Sequence, residues 1–125
     1  MADFIGAYAI IPAKDVERAR KFYEEMVGLP AGMDIGGSYI YDLKGSVIYL
    51  YETDTAGLAK HTILSLYVSD LRSAVSEMKA KGVTFEEYDT PYFKTVNSIA
   101  NMDGELAAWF VDTEGNTVLI GQRTQ

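Results

Sequence analysis

Apolar and polar positions follow two rhythms along this chain, and the same succession of rhythms occurs twice. Residues 4–11 form an apolar run of small and β-branched side chains, closed by Pro12, which predicts a buried strand. Val16, Ala19, Phe22, Tyr23 and Met26 then recur at three- and four-residue steps, on one face of a helix. Asp15 precedes them as a cap, its carboxylate placed to accept an orphan N–H of the first turn. Gly28 stops the helix, because glycine tolerates left-handed backbone. Strands follow near Met33 and over residues 38–43 and 47–51, the last two joined by Lys44-Gly45.

The second half repeats this order. Residues 61–68 predict a strand and Asp70 a cap. Leu71, Ala74, Val75 and Met78 make the apolar helix face, and Gly82 the stop. Further strands are predicted near 83–88, 106–111 and 117–121. Asp112-Thr113-Glu114-Gly115-Asn116 turns between the last two, as Leu43-Lys44-Gly45-Ser46 does in the first half. Asp15 and Asp70 lie 55 positions apart and Gly45 and Gly115 lie 70 apart, so the second copy holds about 15 additional residues. They fall at 89–101, a loop of the length that more often binds or covers a ligand than merely connects. The expected organisation is one domain, 1–125, of two modules at about 1–52 and 61–125, with residues 53–60 as linker.

Composition narrows the function classes. The chain has 125 residues, 48% apolar and 23% charged, enough for one ordinary core but not two independent ones. Eleven Lys and Arg against eighteen Asp and Glu give a net charge of −7, which argues against a nucleic-acid or anionic-membrane partner. There is no cysteine, so disulfides, thiolate catalysis and thiolate-held metals are excluded. No apolar stretch approaches the ~20 residues that span a bilayer. The N-terminus lacks the basic head and apolar core of a signal peptide, so a cytoplasmic location is expected.

The segments Asp15-Val16-Glu17-Arg18-Ala19-Arg20-Lys21-Phe22-Tyr23, Gly28-Leu29-Pro30, Val68-Ser69-Asp70-Leu71 and Gly82-Val83 resemble the vicinal oxygen chelate superfamily. That superfamily includes glyoxalases, extradiol dioxygenases and bleomycin-resistance-type binding proteins. The closing turn matches its Asp-Pro-Asp/Glu-Gly-Asn motif, with Thr113 where proline is usual. The resemblance implies an α+β fold: two βαβββ modules forming a curled mixed sheet around a shared concavity, usually in a homodimer. It also implies a divalent metal held by His, Glu or Gln at symmetry-related strand positions. Carried onto this chain, those positions are Tyr8, Ile63, Leu119 and Tyr49. None is a good ligand for such an ion, and Ile and Leu cannot bind one at all.

The candidate chemistry is therefore organic. Tyrosine is frequent, nine against five phenylalanines. Alternation places Tyr49 and Tyr51 on the face of Val47, with Tyr8 on the first strand, and Tyr39 and Tyr41 together on the preceding strand. Such rings suit a flat or cationic organic ligand, although tyrosine also favours half-buried sheets in general. His61, the only histidine, shares its expected strand face with Ile63, Ser65 and Tyr67. It is either an acid or base at the concavity or an inert residue at an exposed strand end. Trp109 is a core anchor or a pocket wall, and Lys94 and Tyr92 on the long loop either close over a ligand or lie on plain surface. A metal site shifted onto His61 and Glu52 would need a third ligand such as Asp42 or Glu105. No nucleophile elbow, phosphate loop or dinucleotide fingerprint is present.

Two functions are expected in turn. The first is a metal-independent, cofactor-free protein that binds a small apolar or aromatic molecule at Tyr8, Tyr49, Tyr51, Ile63, Ser65, Lys94, Trp109 and Leu119. The rival is a glyoxalase- or dioxygenase-like enzyme (lyase, isomerase or oxygenase), metal-free with His61 as acid or base, or metal-dependent through the shifted site.

Overall fold

The computed structural model describes residues 2–124. Its first sheet contains β1 (Ala9–Ala13), β2 (Met33–Asp34), β3 (Tyr39–Leu43) and β4 (Ser46–Glu52), in the order β1-β4-β3-β2. Between β1 and β2 run helix α1 (Val16–Lys21) and a π-helical turn over residues 22–27. The second sheet contains β5 (Thr62–Tyr67), β6 (Thr95–Val96), β7 (Ile99–Met102), β8 (Glu105–Val111) and β9 (Thr117–Arg123), in the order β5-β9-β8-β7-β6. Helix α2 (Leu71–Ala80) follows β5. Each module thus has a parallel outer pair, β1 with β4 and β5 with β9, and antiparallel neighbours beyond it. This is the expected α+β architecture of two like modules with mixed sheets. Among the described residues no helix is long and apolar enough to cross a membrane.

The predicted caps form as the chemistry requires. Asp15 accepts the N–H of Arg18 and Asp70 that of Ser73, while Gly28 ends the first helical run at φ 99°. At Lys44-Gly45 both residues take positive φ, the hairpin geometry that matches strand twist. Alternation then divides each sheet. Ile11, Ala13, Tyr41, Ile48 and Leu50 face inward from the first sheet, and Leu64, Leu66, Phe110, Val118 and Ile120 from the second. They form one apolar cluster with Ala19, Phe22 and Tyr23 of the first helical run and Leu71, Val75 and Met78 of the second. That cluster runs through both modules.

Three expectations are corrected. The first strand does not start at residue 4 and does not end at Pro12; β1 begins at Ala9 and passes through Pro12. Proline fits there because its carbonyl points away from β4, toward the Asn116 side chain, so the missing N–H breaks no ladder bond. Residues 83–88 do not form a strand. β7 takes the free edge of β8 over residues 105–107, and this segment meets β8 further along, through a bridge of Phe85 to Phe110. The long loop is instead partly regular: β6 and β7 form a hairpin whose turn residues, Asn97 and Ser98, both take positive φ.

The closing turn joins the modules. Asp112 accepts the N–H groups of Glu114 and Asn116, and the buried Tyr23 hydroxyl donates to it at 2.5 Å. Asn116 donates to the Pro12 carbonyl and accepts from the N–H of Gly57 in the linker. Glu114 reaches furthest, to the first helix. Its carboxylate accepts the N–H groups of Lys14 and Asp15, the Arg18 guanidinium, and the Thr113 hydroxyl.

Candidate ligand-binding site

The faces turned away from the core carry the candidate residues. On β4, Tyr49 and Tyr51 are half-buried and stack nearly parallel, with ring centroids 5.8 Å apart and planes 8° off parallel. Two residues apart on one strand, their rings stand side by side on one face. Ile10 and Pro12 of β1 flank them in register, and Ile40 of β3 lies beyond Tyr49. On the second sheet the same side presents Ser65 of β5, Leu119 of β9 and Trp109 of β8 in one row across the strands.

Trp109 is only 7% exposed. It packs in a small second cluster with Ala100 and Ala107, covered by Tyr88 and Phe93, whose ring centroids stand 5.3 and 5.0 Å from its own. The segment between α2 and β7 therefore already roofs this part of the sheet. Thr90 and Glu87 hold that roof: Thr90 accepts the N–H groups of Tyr92 and Phe93, and Glu87 accepts the hydroxyls of Thr95 and Ser98. Hydrogen bonding to Thr95 leads the causes that draw the Glu87 pKa down. Lys94 and Tyr92 project outward from the roof and are exposed.

The remaining candidates lie elsewhere. Tyr8 precedes β1 and is 59% exposed. Ile63 sits at a register shift between Thr62 and Leu64 and packs partly against the main core. His61 lies in the bend before β5, exposed, so strand alternation does not extend to it. The structure thus groups Tyr49 with Tyr51, and Ser65 with Leu119 and Trp109, but separates His61, Tyr8 and Lys94 from both groups.

Glu105, expected only as a possible third ligand of the shifted metal site, and Arg123, not singled out at all, also lie on this side. Glu105, opposite Arg123 in register, has a buried carboxylate oxygen, Oε1, with no hydrogen-bond partner. It lies over Gly121, where a Cβ would stand 2.7 Å from that oxygen and 2.9 Å from the Tyr67 ring. Hydrogen bonding to the Glu105 carboxylate is the main reason the Tyr67 phenol is held above its usual pKa, burial adding to it. Among the described residues Oε1 has no partner within hydrogen-bonding geometry. The Arg123 guanidinium stacks on the other side of Tyr67, 5.0 Å from its ring centroid.

Two hollows lie where the modules meet. One, of about 390 Å³, runs between residues 27–30, the β3–β4 hairpin and the end of β5. Another, of about 430 Å³, is lined by Ala9, the start of β4 and residues 64–67. Leu43, Leu66 and Tyr67 line both.

The metal positions do not fit a divalent ion. Tyr8, Tyr49, Ile63 and Leu119 offer phenols and hydrocarbon in place of imidazole and carboxylate. Among the described residues no three His, Asp or Glu side chains converge as a ligand set.

The sequence model of the Glyoxalase/Bleomycin resistance protein/Dioxygenase superfamily matches residues 5–120. The chain belongs to this superfamily. No curated protein matches it. Among solved structures it is similar to a putative glyoxalase family protein from Bacillus anthracis, at 16% identity and a TM-score of 0.72, covering 99% of this chain and 100% of that one. It is also similar to a virulence protein from Salmonella typhimurium, at 18% identity and a TM-score of 0.68, covering 99% and 100%. A lactoylglutathione lyase from Agrobacterium tumefaciens is similar at 15% identity and a TM-score of 0.66, covering 97% and 95%. At these identities the superfamily member shares their fold, and its function rests on its own residues.

Proposed function

We propose that this glyoxalase-superfamily protein binds a small, flat, largely apolar organic molecule on the sheet faces turned away from its core, without a metal. The observation that carries this reading is the Tyr49–Tyr51 stack, a parallel pair of half-buried rings on the face that the core does not use. Rings on a strand's open face offer area and phenolic edges at low entropic cost, and a flat ligand extends the stack. Ile10 and Pro12 supply the adjoining surface on the same sheet, and Ser65 and Leu119 the corresponding face of the second sheet. The unmatched oxygen of Glu105 supports a ligand that carries an N–H donor, since pairing it removes a standing desolvation cost. We read the protein, further, as a homodimer acting in the cytoplasm.

Backbone NMR of the labelled protein titrated with biphenyl-4-carboxamidine and its neutral carboxamide tests this. Both ligands are expected to shift the amides of Tyr49, Tyr51 and Leu119, and Tyr51→Ala to weaken both by roughly threefold to tenfold, the worth of one aromatic pair. The amidine is expected to bind more tightly, an advantage that Glu105→Gln removes. Failure of either ligand to shift the tyrosine amides overturns the reading, as does a stoichiometric divalent metal in the purified protein by elemental analysis.

A further inference from the structure

Polar contacts tie the two modules together at one end only. Among the described residues, every side-chain hydrogen bond between the modules involves the closing turn. That turn sits beside Pro12, Lys14 and Asp15, at the end of β1 where Ala13 pairs with Glu52. The hollow of about 390 Å³ opens at the other end, beside the β3–β4 hairpin and the last residues of β5. Residues 27–30 and 42–44 of the first module wall it, with residues 66–68, Met78 and Ile120 of the second.

Its floor is core. Leu66, Met78 and Ile120 belong to the main apolar cluster and are almost unexposed. Leu66 and Ile120 alternate with Ser65 and Leu119, so the hollow lies on the opposite face of the sheets from the proposed ring site. Its volume is that of a small-ligand pocket. Hydrocarbon walls hold water poorly, because an ordered water needs two to four polar partners. Tyr67 is its one aromatic wall residue among those described, and Arg123 stacks on that ring. The remaining apolar walls are aliphatic, with Met78 able to adapt its shape, and they suit a flexible chain better than a flat ring.

Charge at the rim sets the other end of the ligand. Asp42 and Lys44 both stand there, exposed, on the hairpin. The Asp42 carboxylate is engaged in the turn, where it accepts the Gly45 N–H at 2.9 Å. Lys44 forms no ion pair among the described residues. Positive φ at Lys44 and Gly45 fixes the hairpin, so this cation is carried on an ordered turn.

We propose that this hollow is a second binding site, which takes one small alkyl carboxylate. The chain lies inward against Leu66 and Ile120, and the carboxylate stays at the mouth beside Lys44. Burial of the chain supplies most of the affinity, and the exposed ion pair sets its direction. The site is independent of the ring face proposed above: it uses the other side of the sheets and a different ligand chemistry.

Backbone NMR of the labelled protein, titrated with butanoate, hexanoate and octanoate below micelle-forming concentrations, tests this. Octanoate is expected to shift the amides of Leu29, Leu43 and Val68 saturably and to leave those of Tyr49 and Tyr51 in place. Affinity should rise about fourfold with each added methylene, the transfer free energy of that group. The neutral 1-octanol should bind at the same amides about twofold to fivefold more weakly than octanoate, the reach of one exposed ion pair. Lys44→Asn removes the charge, keeps a residue that tolerates positive φ, and should abolish that difference. Leu43→Trp fills the mouth and should block both ligands; if that variant does not fold, the chain-length series and Lys44→Asn decide the matter without it. No shift at Leu29, Leu43 and Val68, or an affinity indifferent to chain length, overturns the site. An advantage of octanoate over octanol that survives Lys44→Asn overturns the carboxylate. Shifts centred on Tyr49 and Tyr51 put the chain on the ring face and overturn a second site. Movement of the hollow's amides on dilution of the unliganded protein means that another copy covers it, and overturns the proposal equally.

Discussion

Glu114 shows how much structure one side chain can hold. It is a carboxylate without solvent exposure, while its Arg18 partner is 51% exposed. Burial alone would raise its pKa, but the hydrogen bonds from Arg18, the Asp15 N–H and Thr113 outweigh it and hold the value at about 2. A carboxyl group whose pKa falls on folding stabilises the folded state fully above its unfolded value. That stabilisation is lost as pH falls from about 4.5 towards 2. Glu114→Gln should cost about 2 kcal/mol at neutral pH by urea denaturation, the scale for losing hydrogen bonds to a charged group. Its stability should also vary less with pH across that acid window than the parent's does; equal slopes would remove Glu114 from this role. The turn was legible in the sequence as a glycine-centred motif. Its role was not, because what Glu114 binds lies about a hundred residues away, and no local pattern encodes that pairing.

Elements set by local rules were legible, and those set by competition were not. Both N-caps, the Gly28 stop and the Lys44-Gly45 hairpin rest on chemistry within a few residues, and each formed as expected. Residues 83–88 meet β8 only at the Phe85–Phe110 bridge, while β7 takes the β8 edge over residues 105–107. The signal for β7 was present in Asp103-Gly104, a turn dipeptide leading into β8, with Gly104 at φ 78°. The tyrosine stack was legible too, since residues 49 and 51 must share a strand face. The exposure of His61 was legible as one of its two readings, an exposed strand end, and the bend before β5 with the register shift after Thr62 is what takes it out of the strand's alternation. The β6–β7 roof carries its own test. Phe93→Ala removes one of the two rings over Trp109, the only tryptophan, and should shift its emission to the red with about 3 kcal/mol of lost stability. Unchanged emission would mean that Tyr88 alone keeps water from the indole.

At the scale of the molecule, a duplicated chain could still behave as two folding units. The contacts here favour one. The apolar cluster takes Phe22 and Tyr23 from the first module and sets Phe110 of the second against both rings. Glu114, Asp112 and Asn116 then tie the last turn to the first helix, to Pro12 and to the linker. Neither module can lose its structure without exposing the other's core and leaving buried polar groups unpaired, which costs several times the thermal energy per group. Unfolding followed by Trp109 fluorescence, which reports the second module, should therefore coincide with unfolding followed by far-ultraviolet dichroism of the whole chain. Gly57 is the sharpest lever on that coupling. It sits at φ 78°, and a Cβ there would stand 2.5 Å from the Glu114 carbonyl, closer than any side-chain carbon is tolerated. Gly57→Ala strains the linker against the closing turn and should lower both transitions together by 2 kcal/mol or roughly that amount. If the tryptophan signal of this variant melted apart from the dichroism, the joint would be a contact between separable modules and not part of a shared core.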